Sequence, residues 1–151
     1  MFRGLASINL DDKGRLAIPT KYRPELQECC ESQLILTVSL DRCLSLYPLP
    51  VWENLERQLD KLPMFDKPSQ ALRRLLIGHA VECDLDAQGR FLVPEPLRRK
   101  AGLEKRIAFV GQGSKFEIWD EEGWNQAYEA TLDQNILGDG SLPSAFANLS
   151  F

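Results

Sequence analysis

The sequence has little of what metal-binding and catalytic chains need. It holds one histidine, His79, and four cysteines, Cys29, Cys30, Cys43 and Cys83, with no C-x-x-C pair. Zinc-type ligand spacing is therefore absent. The thiols read as small buried or half-buried side chains in a reducing compartment. No Ser/His/Asp, Cys/His or phosphate-loop pattern occurs. Asp11, Asp12 and Asp86 could be imagined around a magnesium ion, but each lies at a turn where Asp is locally favoured, and no general base accompanies them. No enzyme activity, cofactor, metal or small-molecule substrate is expected. No run approaches the roughly 20 apolar residues of a membrane span. The opening M-F-R-G-L-A-S-I-N-L-D-D lacks the apolar core of a signal peptide, so a cytosolic location is expected. Excess positive charge is also missing. With a net charge of −4 and a pI near 5.1, the chain is no generally basic, non-specific nucleic-acid binder.

What is present is a repeat. Residues Leu10 to Pro19 read L-D-D-K-G-R-L-A-I-P, and Leu85 to Pro94 read L-D-A-Q-G-R-F-L-V-P. Leu10/Leu85, Asp11/Asp86, Gly14/Gly89, Arg15/Arg90 and Pro19/Pro94 are identical at an offset of 75, and Arg23/Arg98 repeats further on. One supersecondary unit is used twice. A Gly shortly after an Asp, between apolar runs, is a hairpin signal, because Gly takes positive φ without penalty. In the strand that follows, Leu16 and Ile18 share one face and Arg15 and Ala17 the other. In the second copy Phe91 and Val93 oppose Arg90 and Leu92. Each Arg thus leaves its turn on the face away from the core. Pro19 and Pro94 end these strands and suit the start of a helix.

The elements follow in order. The first unit reads as strand 5–10, turn, strand 15–18, helix 19–30, strand 34–40 and strand 43–47. Tyr22, Leu26 and Cys30 form the inner stripe of its helix. The second reads as strand 80–85, strand 90–93, helix 95–101 stopping at Gly102, strand 107–111 and strand 116–119. Leu44–Tyr47 aligns with Phe116–Trp119 at an offset of 72, so the second copy is three residues shorter. Helices are expected over 51–62, 68–79 and 120–132, with stripes at Trp52, Leu55, Leu59, at Leu72, Leu75, Leu76, His79 and at Trp124, Ala127, Tyr128. Asp120 is a good N-cap. The division is 1–50 for the first unit, 51–79 for connecting helices, 80–124 for the second unit and 125–151 for a helix end and a loose tail. Charge is polarised: residues 1–23 hold five cations against two carboxylates, whereas 117–133 hold no Lys or Arg.

The doubled D-x-x-G-R pattern, M-F-R-G, L-D-D-K-G-R-L-A-I-P-T-K-Y-R, R-R-L-L-I-G-H-A, D-A-Q-G-R-F-L-V-P-E-P-L-R and F-E-I-W-D-E-E-G-W together resemble the MraZ family, with its two SpoVT-AbrB-type units, over roughly residues 1–128. The resemblance implies an α+β fold in which two pseudo-symmetric units form a double-split βαβ body with flanking helices. It implies a bacterial transcriptional regulator that binds double-stranded DNA at short repeats upstream of the division and cell-wall genes. Repression of its own promoter, a ring-shaped homo-oligomer and a nucleoid-associated cytoplasmic location are implied as well. The family's motif residues map to Asp11, Gly14 and Arg15, and to Asp86, Gly89 and Arg90.

The chemistry of the residues agrees. A two-stranded ribbon fits the DNA major groove, and Arg can donate twice to guanine. Lys13, with Arg3, Lys21 and Arg23 nearby in sequence, is placed to meet phosphates. The copies are expected to be unequal: Gln88 replaces Lys13, and Arg98, Arg99 and Lys100 lie in a helix farther along than the turn. The rival reading is a protein-partner or antitoxin-like interaction module.

Overall fold

The computed structural model describes residues 1–134, 144–146 and 148–150. Among the described residues, eight strands and five α-helices make an α+β body. In the first copy β1 (Phe2–Asn9) and β2 (Arg15–Ala17) flank the turn. A 3-10 turn at Thr20–Tyr22 then leads into α1 (Arg23–Cys30), followed by β3 (Leu34–Val38) and β4 (Leu44–Pro48). The second copy repeats the order with β5 (Val81–Cys83), β6 (Arg90–Leu92), α4 (Glu95–Lys100), β7 (Arg106–Gly113) and β8 (Phe116–Asp120). Between them lie α2 (Leu49–Asp60) and α3 (Lys67–Leu76), and α5 (Glu121–Asp133) follows β8. Residues 122 onward form a compact unit of their own.

The hairpins expected at the two D-x-x-G-R turns do not form, whereas β3 pairs with β4 and β7 with β8. The strands on either side of each turn part company, and each pairs with the other copy. β1 lies antiparallel to β7, β5 to β3, and β2 to β6. The cause lies in the turn. The Arg15 N–H is taken by the Asp11 carboxylate at 2.8 Å and the Leu10 N–H by the Lys105 carbonyl at 2.8 Å, so pairing stops after one rung. The six-stranded sheet runs β1-β7-β8-β4-β3-β5. Exchanging every strand with its counterpart in the other copy returns the same order reversed. The connectivity is therefore two-fold, and equivalent residues meet on the axis: Ser45 faces Glu117 and Leu16 faces Phe91. The symmetry is broken at the edges, where β1 pairs over eight residues and β5 over three.

One face of the sheet, with Phe2, Leu34, Leu36, Leu44, Leu46, Ile107, Phe109, Phe116 and Ile118, packs on the inner side of the β2–β6 ribbon. Leu16, Ile18, Phe91 and Val93 fill that inner side and are fully buried. Tyr22 and Leu26 of the first copy and Leu97 of the second close the core, as the inner stripe predicts. On the opposite sheet face Trp52 of α2 packs on Tyr47 with ring centroids 5.5 Å apart, and Thr37 donates to the Leu76 carbonyl at the end of α3. α3 stops at Leu76, three residues before His79, whose Nδ1 lies 2.7 Å from the Leu75 carbonyl oxygen. The stripe of α3 is only half-buried. Most of the expected loose tail lies outside the described residues, apart from a 3-10 turn at Ser144–Phe146.

Interleaving predicts the fate of a half-chain. Residues 1–75 alone lack the partners of β1 and β2, so as a monomer they should be unfolded, with β-structure appearing only on self-association. Circular dichroism across a dilution series, alongside size-exclusion chromatography, checks this; a folded monomeric half would contradict it.

Candidate nucleic-acid interface

The two turns agree bond for bond. The Asp11 N–H donates to the Arg15 carbonyl at 3.0 Å, and the Gly14 N–H to the Asp11 carbonyl at 3.0 Å. The Lys13 and Arg15 N–H groups donate to Asp11 Oδ1 at 2.9 and 2.8 Å, and Arg15 Nε donates to Oδ2 at 2.8 Å. In the second copy the Asp86 and Gly89 N–H groups close the turn at 2.9 Å each. Gln88 N–H, Arg90 N–H and Arg90 Nε converge on the Asp86 carboxylate at 2.9, 2.9 and 2.8 Å. The Asp therefore does more than pair with Arg at the surface. It folds the turn and aims the guanidinium through Nε, which leaves both terminal nitrogens pointing onward. The backbone N–H of the turn's own Arg is the largest influence on each carboxyl; with the guanidinium and the second N–H it outweighs desolvation and holds Asp11 and Asp86 below the usual carboxylate range.

The glycines serve two ends. Gly14 has φ +82° and Gly89 φ +72°, in the left-handed region. Each is also the site of a close approach from the other copy. A Cβ on Gly14 would lie 1.5 Å from Nη1 of Arg98, and one on Gly89 would lie 2.6 Å from Nε of Arg23. The glycine carbonyls reach across too: Val93 N–H donates to Gly14 and Ile18 N–H to Gly89, both at 2.9 Å.

Here the fold corrects an expectation. Arg98 belongs to the second copy's helix and was expected away from both turns, yet it packs on the first turn. The reason is that β6 runs antiparallel to β2, so the chain leaves β6 beside Gly14 and enters α4 there. Arg23 is carried to the second turn in the same way and donates through Nε to the Ile18 carbonyl at 2.9 Å. The sequence signal was the repeat of Arg23 and Arg98 at the motif's own offset. Cations must therefore be counted around each turn rather than along each copy. Around the first turn are Lys13, Arg15 and Arg98, with Arg99 and Lys100 exposed on the same helix. Around the second are Arg90 and Arg23, with Pro24 and Glu25 at the positions matching Arg99 and Lys100.

The outer ribbon face carries Arg15 opposite Leu92 and Ala17 opposite Arg90. The two arginines differ. Arg90 Nη2 donates to Gln88 Oε1 at 3.2 Å, whereas Lys13 cannot accept, and the terminal nitrogens of Arg15 make no hydrogen bond among the described residues. The structure does not bring Arg3 to this face. It pairs with Gln112 near the start of β1, roughly 20 Å along the strand from Asn9 at ordinary strand rise. Lys21 belongs to that same end, with its Nζ 3.0 Å from where a Cβ on Gly4 would lie.

Two measurements test this geometry. Gly14→Ala should destabilise by about 1–2 kcal/mol for the left-handed backbone alone, with an added cost from Arg98. In denaturant unfolding, Arg98→Ala should recover the added cost and leave the backbone part; simple additivity of the two changes would contradict the close approach. Because Asp11 titrates lower in the folded chain than in the unfolded one, its contribution is present above about pH 4 and is lost as pH falls through the folded value. The gap in melting temperature between the wild type and Asp11→Asn should therefore shrink from pH 7 to pH 3; a constant gap would contradict it.

Known proteins resemble the chain in sequence. The family model described as "MraZ protein, putative antitoxin-like" matches residues 1–75 and again 76–137. The chain is 60% identical over 137 residues to the "Transcriptional regulator MraZ" of Methylococcus capsulatus, covering 91% of this chain and 90% of that one. It is 56% identical over 124 residues to the protein of the same name in Thioalkalivibrio sulfidiphilus, covering 82% and 83%. To that of Pseudomonas aeruginosa it is 49% identical over 150 residues, covering 99% of both chains. With two matched units on a two-fold scaffold and relatives this similar along most of its length, the chain belongs to the MraZ family.

Proposed function

We propose that the chain is a sequence-specific DNA-binding transcriptional regulator and not an enzyme, with the outer face of the β2–β6 ribbon as its reading surface. One observation carries the proposal. Arg15 is fixed by Asp11 through Nε and presents from an antiparallel ribbon two terminal nitrogens that make no hydrogen bond among the described residues. That is the donor pair that guanine O6 and N7 accept in the major groove. The names of the similar proteins, all transcriptional regulators, support the same reading.

The distribution of charge supports unequal halves. The half around the first turn has Arg15 for a base and Lys13, Arg98, Arg99 and Lys100 for phosphates. The half around the second has Arg23 and an Arg90 already engaged by Gln88, with Glu25 where the first has Lys100, while Asp12 and Glu95 offset part of the first half's charge. Such a subunit binds weakly alone. The finer reading, which rests on the family resemblance, has it act as a cytoplasmic, nucleoid-associated ring. The ring would bind short direct repeats upstream of its own gene and the division and cell-wall genes, as a repressor, and gain through effective concentration at repeated sites.

Anisotropy titrations on a duplex from upstream of the chain's own gene, at matched salt, test the reading. Arg15→Ala should cost about 1–3 kcal/mol of specific binding with circular dichroism unchanged, and Arg90→Ala should cost less. Arg98→Ala should weaken binding to all sequences and lower the salt slope by about one. If Arg15→Ala binds like wild type, the base-reading role is wrong and a protein-partner role takes its place.

A further inference from the structure

The ribbon's outer face carries one side chain whose chemistry the arginines do not account for. Leu92 is 56% exposed and stands opposite Arg15 in the register. The bonds from Val93 N–H to Gly14 and from Ile18 N–H to Gly89 mark the hydrogen-bonded pairs of the ribbon. In an antiparallel ladder these alternate with non-hydrogen-bonded pairs, where opposed side chains come closest. Arg15–Leu92 and Ala17–Arg90 are such pairs, with Cβ atoms roughly 4.5–5.5 Å apart. Leu92 is therefore a neighbour of the arginine that carries the proposed base contact.

Folding gives no reason for a leucine here. The inner side of the ribbon is filled by Leu16, Ile18, Phe91 and Val93, all buried. The residue equivalent to Leu92 in the first copy is Ala17, which occupies the same outward position on the other strand. The position tolerates the smallest apolar side chain, yet the second copy places a branched four-carbon group in water among cations.

We infer that Leu92 is a specificity residue that meets the 5-methyl group of a thymine. The inference rests on the ribbon being the reading surface. In the major groove the only apolar feature of a base pair is the thymine methyl. A side chain about 5 Å from Arg15, on a duplex whose base pairs rise about 3.4 Å, reaches a thymine one or two steps from the base that Arg15 reads. The consequence is a directional site. A ribbon with true two-fold symmetry reads a palindrome. Here one half offers Arg15 with Leu92 and the other Arg90 with Ala17, so the two halves of the bound sequence differ and the subunit has one orientation on DNA.

Replacing thymine by uracil removes the methyl and nothing else. A duplex enriched from a random library by the wild-type protein is the probe, and each of its thymines is changed singly to uracil. Wild type should lose affinity about fourfold at one thymine, the worth of one buried methyl-sized group, while Leu92→Ala should bind the thymine and uracil forms of that duplex equally. A wild-type scan that is flat at every thymine, or a Leu92→Ala scan that keeps the same thymine dependence, overturns the inference. Arg15→Ala on the same duplex separates the two claims. If it loses specific binding while the uracil scan is flat, only the role of Leu92 fails. If Arg15→Ala binds like wild type, or if no duplex is enriched, the ribbon does not read bases and the inference falls with it.

Discussion

Two hydrogen bonds that cross between the halves govern this molecule: Ile18 N–H to the Gly89 carbonyl and Val93 N–H to the Gly14 carbonyl, each 2.9 Å. They follow from the turn. Asp11 and Asp86 take up the amide of the following Arg, the glycine amide closes back on the Asp carbonyl, and the glycine carbonyl bonds outward. The strand beyond the turn must then find its partner in the other copy. From this exchange come the ribbon, the buried Leu16–Phe91 pair on its axis, and a core to which both halves contribute throughout.

The same turn accounts for how an acidic chain can engage DNA. Net charge is −4, but function depends on where cations are held. On the proposed function, an Arg tethered through Nε to a carboxylate would lose little further freedom on meeting a base, which is pre-organisation in the ordinary sense. The pair itself, partly exposed at 2.8 Å, adds little to stability; its value lies in direction. The strand exchange brings the basic helix of one copy beside the turn of the other. This concentrates Lys13, Arg15 and Arg98 at one end of the ribbon and leaves the other end poorer in charge.

Much of this was legible in the residues. The alternation of Leu16 and Ile18 against Arg15 and Ala17 fixes which side is buried, and the Tyr22, Leu26 stripe fixes the inner face of the first helix; both hold. The two-fold was legible as the repeat itself. The pairing of strands was not. An Asp-Gly turn between apolar runs satisfies local hairpin rules, and the strands separate because Asp11 captures the Arg15 amide within the turn and the Lys105 carbonyl captures the Leu10 amide from the other copy. For the same reason Arg98 was expected away from both turns, since sequence distance along a copy says nothing once strands are exchanged; Arg3, grouped with Lys13 by nearness in sequence, lies at the far end of β1. The role of Gln88 as an acceptor for Arg90 was visible only as a missing lysine.

The central claim is that a ribbon built from both copies is the DNA-reading surface. Amide chemical-shift mapping on adding a specific duplex tests it most directly. The account predicts that the largest changes fall together on residues 13–17 and 88–92, with Arg98 among them, and are larger around the first turn than the second. Changes confined to α2 and α3, or to one turn's own copy with Arg98 unaffected, would contradict it.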